Sequence, residues 1–441
     1  MSVTLQYPIQ GRTANEIASS VEDGIREGGL APGSPLPPVR ALAGQLGVSP
    51  GTVAAAYQAL QGRGLVSGRG RRGTRVNPRP PLPGVPDAPL PAHLRNLADG
   101  NPDKELLPSL TSVLSAPVPG VRVYGESQDL PRLVELARRD FDRDGVPAGA
   151  IAVVGGALDG VERVLQAHLR PGDVVAVEDP AHAGLLDLLN ALGLVVEPVA
   201  LDDAGPLPAA LAAAIRAGAR AAIVTPRAQS PTGSALTPER GRALRAVLDR
   251  HGDLLLVEDD HAGPVSGAPA VLLADPRRER WAVVRSVSKS LGPDLRVAVL
   301  AGSEGTVARV QGRQLVGTGW VSHVLQRAVA ALWSDRGVQR QLRAAAETYR
   351  IRRGGLLEAL KRRGIGAHGR SGFNVWVPVP AEVPVVAALA ERGWAVREGE
   401  RYRLRSGPAI RVTISTLAPG EAEAFASDLA AVLDAPRLTS A

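Results

Sequence analysis

The hydrophobic positions of the chain follow two periodicities. Over the first 80 residues they recur at the three- and four-residue spacing of helices, in segments 13–28, 38–46 and 49–62. Thr13 and Ser49 stand where the first and third helices would be capped, and Pro50 suits the first position of the third. Two short β-type runs flank a turn rich in Gly and Arg, at residues 65–66 and 74–76. The pattern predicts three helices followed by a hairpin.

From residue 150 onward, apolar runs of strand type alternate with helical patterns. The strand candidates are residues 151–154, 174–177, 194–198, 221–225, 254–257, 281–285 and 297–301. Such alternation predicts an α/β body with a doubly wound, mainly parallel sheet. Near Ser322 the pattern changes to a long Arg- and Ala-rich helical stretch, 324–360, followed by strands near 374–377 and 410–414. This part indicates a smaller α+β C-terminal subdomain.

Proline marks the boundary between the two patterns. Seven prolines fall between Pro78 and Pro91, too many for a helix or a sheet, so we expect an extended, semi-rigid spacer. We therefore predict a head at 1–77, a linker at 78–94, a large domain at 95–321, and a long helix with a small subdomain at 322–441.

Composition excludes several classes of protein. The chain has no cysteine, which rules out disulfides, thiolate catalysis and cysteine metal sites, and we predict no metal site. We find no signal-peptide pattern at Met1–Gln10 and no apolar run of about 18 residues that could span a membrane. We expect a cytoplasmic protein.

The net charge of +7 is unevenly distributed. Residues 1–80 contain nine arginines and four acidic residues, a net +5, whereas the other 361 residues carry only +2. A small basic head on a nearly neutral body indicates an anionic partner for the head, with nucleic acid as the first candidate.

Lys289 is the most informative residue of the body. It is one of three lysines, against 48 arginines, and it follows an apolar strand candidate. Lysine can do what arginine cannot, which is to condense with an aldehyde and form a Schiff base. Ser286, Ser288 and Arg296 around it are residues that suit a phosphate. The combination predicts pyridoxal phosphate, although an isolated lysine after a strand is more often a surface residue.

Two further features suit that cofactor. Asp259 stands at the end of the strand candidate 254–257, where its carboxylate could keep a pyridine nitrogen protonated. Gly155 and Gly156 precede a helical pattern, where backbone N–H groups could approach a phosphate. Each feature alone is weak evidence for a cofactor site. Asp259 and its acidic neighbours can simply form a turn at the end of a strand, and a Gly-Gly turn is common. Strand ends in an open α/β sheet nevertheless converge on one crevice.

The head resembles the winged helix-turn-helix of the GntR family over roughly residues 11–76. The resemblance rests on Pro37-Pro38-Val39-Arg40, Leu46-Gly47-Val48-Ser49, Thr52-Val53 and Gly64-Leu65-Val66. Helix starts and arginines of this kind meet DNA, so the candidate contacts are Arg40, Ser49, Gly51, Thr52, Arg69, Arg71, Arg72 and Thr74. The alternative is a small helical interaction domain with a solvated arginine face.

The body resembles the fold-type I aminotransferases over about residues 95–435. The matching stretches include Tyr124-Gly125, Val177-Glu178-Asp179-Pro180, Pro231-Thr232-Gly233 and the segment from Ser286 to Arg296. Together with the head, the chain is similar to a MocR-type regulator. The resemblance implies an internal aldimine on Lys289, Asp259 at the ring nitrogen, and Arg411 for an effector carboxylate. It implies phosphate contacts from Gly156, Ala157, Ser286, Ser288 and Arg296, and from Tyr124 to the partner subunit's phosphate in a homodimer.

Three positions depart from the aminotransferase pattern. Ser230 replaces the asparagine usually found before Pro-Thr-Gly, and His261 replaces a tyrosine two residues after the ring-nitrogen aspartate. His182 stands where a ring-stacking aromatic residue is usual. A hydroxyl and imidazoles can still bond the cofactor, but with different basicity.

The sequence therefore predicts a transcriptional regulator that binds double-stranded DNA and senses a small molecule through an aldimine at Lys289. The effector would be pyridoxal phosphate itself or an amino compound, and its binding would alter DNA affinity. Two alternatives stay open: a working aminotransferase with a DNA-binding domain, and a DNA-binding protein whose body is purely structural.

Overall fold

The computed structural model of the chain describes residues 7–68, 73–77, 90–114, 120 and 122–434. The chain divides into two compact units, Met1–Ala88 with His168–Val175 and Ala183–Glu197, and Pro89–Ala167 with Ala176–His182 and Pro198–Ala441. The predicted contacts Arg69, Arg71 and Arg72, and linker residues 78–89, lie outside the described residues.

The head contains three helices and a hairpin, as the periodicity predicts. These are α1 (Ala14–Arg26), α2 (Val39–Leu46), α3 (Pro50–Gly62), β1 (Val66–Gly68) and β2 (Thr74–Val76), with β1 and β2 antiparallel. Thr13 and Glu16 form a capping box at the start of α1, and the Ser49 side chain accepts a hydrogen bond from the Thr52 N–H at the start of α3. Gly47 ends α2 with a φ of 66°, a left-handed conformation that glycine adopts without strain.

The core of the head lies between its helices. Ile17 and Val21 of α1 and Val53 and Leu60 of α3 are fully buried. Tyr57 is also buried, and its hydroxyl donates to the Pro37 carbonyl at 2.9 Å, which joins α3 to the segment before α2. This segment pairs with the hairpin as well, since the Leu36 N–H donates to the Thr74 carbonyl at 2.8 Å. The sequence patterns did not predict this pairing between the segment before α2 and the hairpin.

An eight-stranded sheet forms the centre of the body, with the strand order β4-β11-β10-β9-β8-β5-β6-β7. Its strands are β4 (Ala150–Val154), β5 (Val174–Asp179), β6 (Val195–Asp202), β7 (Gly205–Pro206), β8 (Ala219–Val224), β9 (Leu255–Asp260), β10 (Trp281–Ser286) and β11 (Ala298–Gly302). Strands β8, β9 and β10 are parallel neighbours, whereas β11 is antiparallel to β10 and β4. The carboxyl ends of the three parallel strands therefore meet at one edge of the sheet.

Helices and short elements complete the body. The helices are α4 (Thr111–Leu114), α5 (Pro131–Arg143), α6 (Ala157–His168), α7 (Ala183–Ala191), α8 (Pro208–Arg216), α9 (Pro238–Leu248), α10 (Glu304–Leu315), α11 (His323–Ser334), α12 (Arg336–Lys361), α13 (Glu382–Glu391) and α14 (Pro419–Leu433). The remaining strands are β3 (Arg95–Asn96), β12 (Asn374–Pro378), β13 (Trp394–Ala395), β14 (Arg397–Glu398) and β15 (Ala409–Thr413). None of the helices in the described residues has the length and apolar character needed to cross a membrane.

The C-terminal part differs from the sequence prediction at one point. Residues 324–360 were expected to form one helical stretch, but the helix is interrupted at Asp335, whose backbone is extended. The Asp335 side chain accepts from the Val338 N–H at 2.9 Å and so caps α12. Beyond α12, strands β12, β15 and β14 form a small sheet, and β13 pairs with β3. The segment that directly follows the predicted linker is thus part of the C-terminal subdomain.

Candidate functional site

A cavity of about 250 Å³ lies at the carboxyl edge of the parallel strands. It brings together residues that are far apart in sequence and that the sequence analysis singled out: Ala157, His182, Ser230, Asp259, His261, Ser286, Ser288, Lys289, Arg296 and Arg411. Gly156 adjoins it, because a Cβ at this glycine would lie 2.8 Å from the Arg296 guanidinium.

Lys289 lies in a single helical turn after β10, closed by a hydrogen bond of 2.7 Å from the Leu291 N–H to the Val287 carbonyl. Its Nζ donates to the Gly100 carbonyl at 2.9 Å and lies 5.5 Å from the centre of the Phe373 ring. Burial, reinforced by the positive charge of Arg411, lowers the pKa of Lys289 to about 8. The neutral, nucleophilic form of this amine is therefore more populated at neutral pH than it is in a solvated lysine.

Asp259 has an incomplete set of hydrogen bonds. Its Oδ1 is buried and has no hydrogen-bond partner among the described residues. Burial, with a smaller contribution from the negative charge of Asp260, raises the pKa of Asp259 to about 7. A buried carboxylate without a partner is costly, and a cationic N–H group at this position would remove that cost. The protonated nitrogen of a pyridine ring is such a group, so this side chain fits the predicted cofactor.

Asp260 has a different environment, because β9 continues to this residue and consecutive side chains of a strand point to opposite faces. Its carboxylate accepts from Arg227 Nε at 2.8 Å and from Arg285 Nε at 2.7 Å. Arg285 also donates to Asp140 of α5 at 2.5 Å and to Asp144, the residue that follows α5, at 2.7 Å. Burial alone would raise the pKa of Asp260, but Arg285 and Arg227 outweigh it and hold that pKa far below its ordinary value.

A further set of residues at the cavity suits a phosphate. Gly155 and Gly156 lead into α6, and the φ of 108° at Gly156 is one that few other residues adopt. An Arg296 Nη donates to the Gly155 carbonyl at 3.2 Å. The Ser286 and Ser288 hydroxyls are 3.0 Å apart. A cationic side chain, two hydroxyls and a helix N-terminus form an environment that favours an anion.

Two histidines, His182 and His261, also line the cavity. Burial, followed by the charge of Lys289, lowers the pKa of His182 to about 4 and that of His261 to about 3. Both rings are therefore neutral at pH 7 and can donate or accept hydrogen bonds through either nitrogen. Ser230, in the loop after β8, is buried beside them.

Arg411 of β15 is buried at the same cavity. One of its Nη atoms donates to the Ala98 carbonyl, and its guanidinium lies 4.9 Å from the centre of the Tyr402 ring. Its Nε has no hydrogen-bond partner among the described residues. Burial lowers the pKa of Arg411, but a guanidinium remains charged at neutral pH. The side chain can therefore receive a carboxylate.

The segment Ala98-Asp99-Gly100 was not predicted from the sequence. Its carbonyls at Ala98 and Gly100 accept hydrogen bonds from Arg411 and Lys289, two of the three cations that were predicted to bind ligands. Backbone acceptors leave no side-chain pattern in a sequence. The only available signal was Gly100, whose φ is 70° and where a Cβ would lie 3.1 Å from the Arg411 guanidinium.

The remaining predicted residues lie outside this cavity. Tyr124 is 91% exposed and packs edge-to-face on Trp320 at 5.5 Å between ring centres. In the head, Arg40 is exposed at the start of α2, Ser49 and Gly51 are exposed at the start of α3, and Thr52 and Thr74 are half-buried. No cluster of three or more His, Asp or Glu side chains that could hold a metal ion occurs in the part of the chain that the structure describes.

Two protein families match the chain. "Aminotransferase class I and II" matches residues 96–429, and "Bacterial regulatory proteins, gntR family" matches residues 13–76. The Salmonella typhimurium "Vitamin B6 salvage pathway transcriptional repressor PtsJ" is 39% identical over 425 residues, 96% of this chain and 98% of its own length. The Corynebacterium glutamicum "HTH-type pyridoxine biosynthesis transcriptional regulator PdxR" is 29% identical, covering 75% of this chain and 74% of its own.

The solved structures that resemble the chain match its body. An archaeal alanine:glyoxylate aminotransferase superposes with a TM-score of 0.70 at 22% identity, covering 77% of this chain and 90% of its own. Thermus thermophilus aspartate aminotransferase with maleate gives a TM-score of 0.66 at 23% identity, covering 77% and 92%. At this identity the likeness establishes the fold, which is that of the fold-type I aminotransferases.

The two neighbouring aspartates should respond differently to the same substitution in ligand-free protein. Asp260→Asn leaves Arg227 and Arg285 without their shared carboxylate, so we expect a loss of about 3–5 kcal/mol of stability. The pKa of Asp259, raised to about 7 from 3.8, means that its carboxyl contributes stability at low pH that is lost as the pH rises through 7. Asp259→Asn should therefore improve the melting temperature relative to wild type more at pH 8 than at pH 5.

Thermal unfolding of both variants and of wild type at these two pH values makes the comparison. Equal losses of stability at pH 8 for the two variants would contradict the environments assigned to the two carboxyl groups.

Proposed function

The chain belongs to the MocR-type regulators, in which a GntR-family helix-turn-helix is joined to an aminotransferase class I and II domain, and from that membership we propose that it regulates transcription by binding DNA in response to pyridoxal phosphate. The head binds a double-stranded operator, and the body holds the cofactor. Ligand binding to the body changes the affinity of the protein for DNA. We expect it to act in the cytoplasm.

The observation that carries the proposal is the pairing of Lys289 with Asp259 in one cavity. The cavity contains one of the three lysines of the chain and a buried carboxylate oxygen that has no hydrogen-bond partner among the described residues. Pyridoxal phosphate has an aldehyde, which condenses with a primary amine, and a basic ring nitrogen. Lys289 would hold the aldehyde carbon, and the Asp259 carboxylate would accept a hydrogen bond from the protonated ring nitrogen and keep it protonated. No other described residue donates to Asp259 Oδ1, so the carboxylate is available for that role.

The other residues of the cavity each have a place around the cofactor. Arg296, Ser286, Ser288 and the Gly156-Ala157 turn would bind its phosphate through charge, hydroxyl and N–H groups. His182, His261 and Ser230 would border its ring. Because both imidazoles are neutral at pH 7, they add no positive charge to a cavity that already contains Lys289, Arg296 and Arg411.

We propose pyridoxal phosphate itself as the sensed ligand. Two relatives are named for vitamin B6 salvage and pyridoxine biosynthesis, and pyridoxal phosphate is a form of that vitamin, which supports the proposal. An amino compound with a carboxylate is the alternative, and the Arg411 side chain, with its free Nε, is the observation that favours it. An absorption titration of the protein with pyridoxal phosphate, then with a panel of amines, separates the two.

We also propose that the protein is a homodimer. Tyr124 is 91% exposed, and near it Leu315 and Val316 are 58% and 89% exposed. Large apolar side chains in such positions suit an interface, and burying them against a second copy is favourable. In the dimer, Tyr124 would contact the phosphate held by the other subunit.

A working aminotransferase is the second candidate function. Arg411 favours it, because the carboxylate of an amino-acid substrate would complete its hydrogen bonds. Ser230 and His261, which differ from the usual residues of those enzymes, argue against efficient turnover. Incubation of the holoprotein with amino donors and keto acids, followed by assay for the new amino acid, decides between the two functions.

The assignment of Lys289 can be tested by trapping. After incubation with pyridoxal phosphate and reduction with borohydride, wild-type protein should carry one covalent pyridoxyl group, at Lys289. Lys289→Ala should carry none, whereas Lys361→Ala, which removes an exposed lysine, should label as wild type does. Peptide mass spectrometry locates the label. Stoichiometric labelling of Lys289→Ala at another residue would refute the assignment.

DNA binding by the head has its own test. Full-length protein should select specific duplexes from a random library and bind paired half-sites far more tightly than single ones, because a dimer presents two heads at high effective concentration. If Arg40 contacts a phosphate, Arg40→Ala should weaken binding to all sequences. It should also reduce the magnitude of the slope of log K against log salt concentration by about 1. Arg336→Ala, an exposed arginine of the body, is the matched control. Unchanged binding after deletion of residues 1–77 would contradict the proposal.

A further inference from the structure

The exposed face of α3 carries no charged side chain. The helix buries Val53, Ala56, Tyr57 and Leu60 in the core of the head. At 100° per residue, the positions on the opposite face are the exposed Gly51, Ala55, Gln58, Ala59 and Gly62, with Thr52 half-buried at its edge. In a helix-turn-helix the second helix enters the major groove, so this is the face that meets the base edges.

Gln58 is the side chain on that face with free hydrogen-bonding groups. The Gln58 amide forms no hydrogen bond with another described residue; the side-chain hydrogen bonds of α3 and its cap are made by Ser49, Thr52 and Tyr57. Thr52 is less available, because its hydroxyl lies 2.9 Å from the Ser49 hydroxyl and the two are hydrogen-bonded to each other. Beyond the first turn of α3, Gln58 is therefore the side chain of the exposed face that can recognise a base by hydrogen bonds.

The chemistry of these side chains selects one kind of base pair. Guanine is bound in the major groove mainly by arginine or lysine, and α3 contains neither. A glutamine amide matches the N6 and N7 groups of adenine, and a small apolar side chain contacts the methyl group of thymine. Ala55 lies three residues before Gln58, so the two side chains project from the same face of α3 and can reach neighbouring base pairs.

We infer that Gln58 reads an adenine and that Ala55 contacts a thymine methyl group, so that the base pairs beneath α3 are A·T pairs. The inference rests on the proposed binding of DNA by the head and specifies the chemistry that the head recognises. Small residues at Gly51 and Ala55 let the helix backbone approach the groove closely enough for these short contacts.

The first test compares operators selected from a random duplex library by full-length wild type, Gln58→Ala and Gln45→Ala. Both glutamines are exposed, Gln58 on α3 and Gln45 on α2, and alanine favours a helix, so both variants should fold. Wild type and Gln45→Ala should require the same adenine in each half-site. Gln58→Ala should lose that preference, with discrimination against other bases falling by about 5- to 150-fold.

The second test changes the base preference rather than removing it. Gln58→Arg should replace the preferred adenine by guanine at the same position, since a guanidinium pairs with guanine. Replacing thymine by uracil at the pair next to that adenine removes only the methyl group and should weaken wild-type binding several-fold. The same replacement outside the half-site should have no effect.

The outcomes separate this inference from the function on which it rests. If Gln58→Ala alters no position, or the position that it alters is a G·C pair, the inference is overturned while DNA binding stands. If full-length protein selects no sequence at all, the proposed DNA-binding function fails and the inference fails with it.

Discussion

The alternation of side chains along β9 is the constraint on which the cavity depends. Asp259 and Asp260 are consecutive, yet Asp259 lines the cavity with an Oδ1 that has no hydrogen-bond partner among the described residues, whereas Asp260 is shared by two buried arginines. Arg285 precedes Ser286 on β10, and Arg227 lies in the loop that carries Ser230. The ion pairs of Asp260 therefore fix three segments, and each of them contributes a side chain to the cavity. They also balance the charge of Asp260, which would otherwise raise the pKa of Asp259 further.

The parts of the fold that were predictable are those with a side-chain pattern. The apolar runs of β4, β5, β6 and β8 to β11 predicted seven strands of the sheet, whereas the two-residue strand β7 was not predicted. The caps Thr13 and Ser49 predicted the starts of α1 and α3. The interruption at Asp335 was missed because a capping aspartate inside an Arg- and Ala-rich stretch leaves the helical periodicity almost intact. The pairing of Leu36 with the hairpin was missed because it uses only backbone groups.

The same distinction applies to the cavity. Lys289, Asp259 and Arg296 could be singled out from their residue types and neighbours, and Arg411 from the resemblance to the aminotransferases; the structure brings the four together. The different environments of Asp259 and Asp260 could not be read from sequence, since the predicted strand ended at residue 257 and left the orientation of both carboxyl groups open. The carbonyls of Ala98 and Gly100 have no side-chain signature at all. The variants of Lys289 and Asp259 test what these two residues do in the cavity.

The contacts of Ala98 and Gly100 have a consequence for ligand affinity. Lys289 Nζ and one Arg411 Nη donate hydrogen bonds to these carbonyls, whereas Arg411 Nε has no partner among the described residues. A ligand acceptor that takes over one of the donated bonds exchanges one hydrogen bond for another and gains only the difference. An acceptor at Arg411 Nε instead adds a bond. A ligand carboxylate should therefore gain most by approaching the guanidinium from its Nε side.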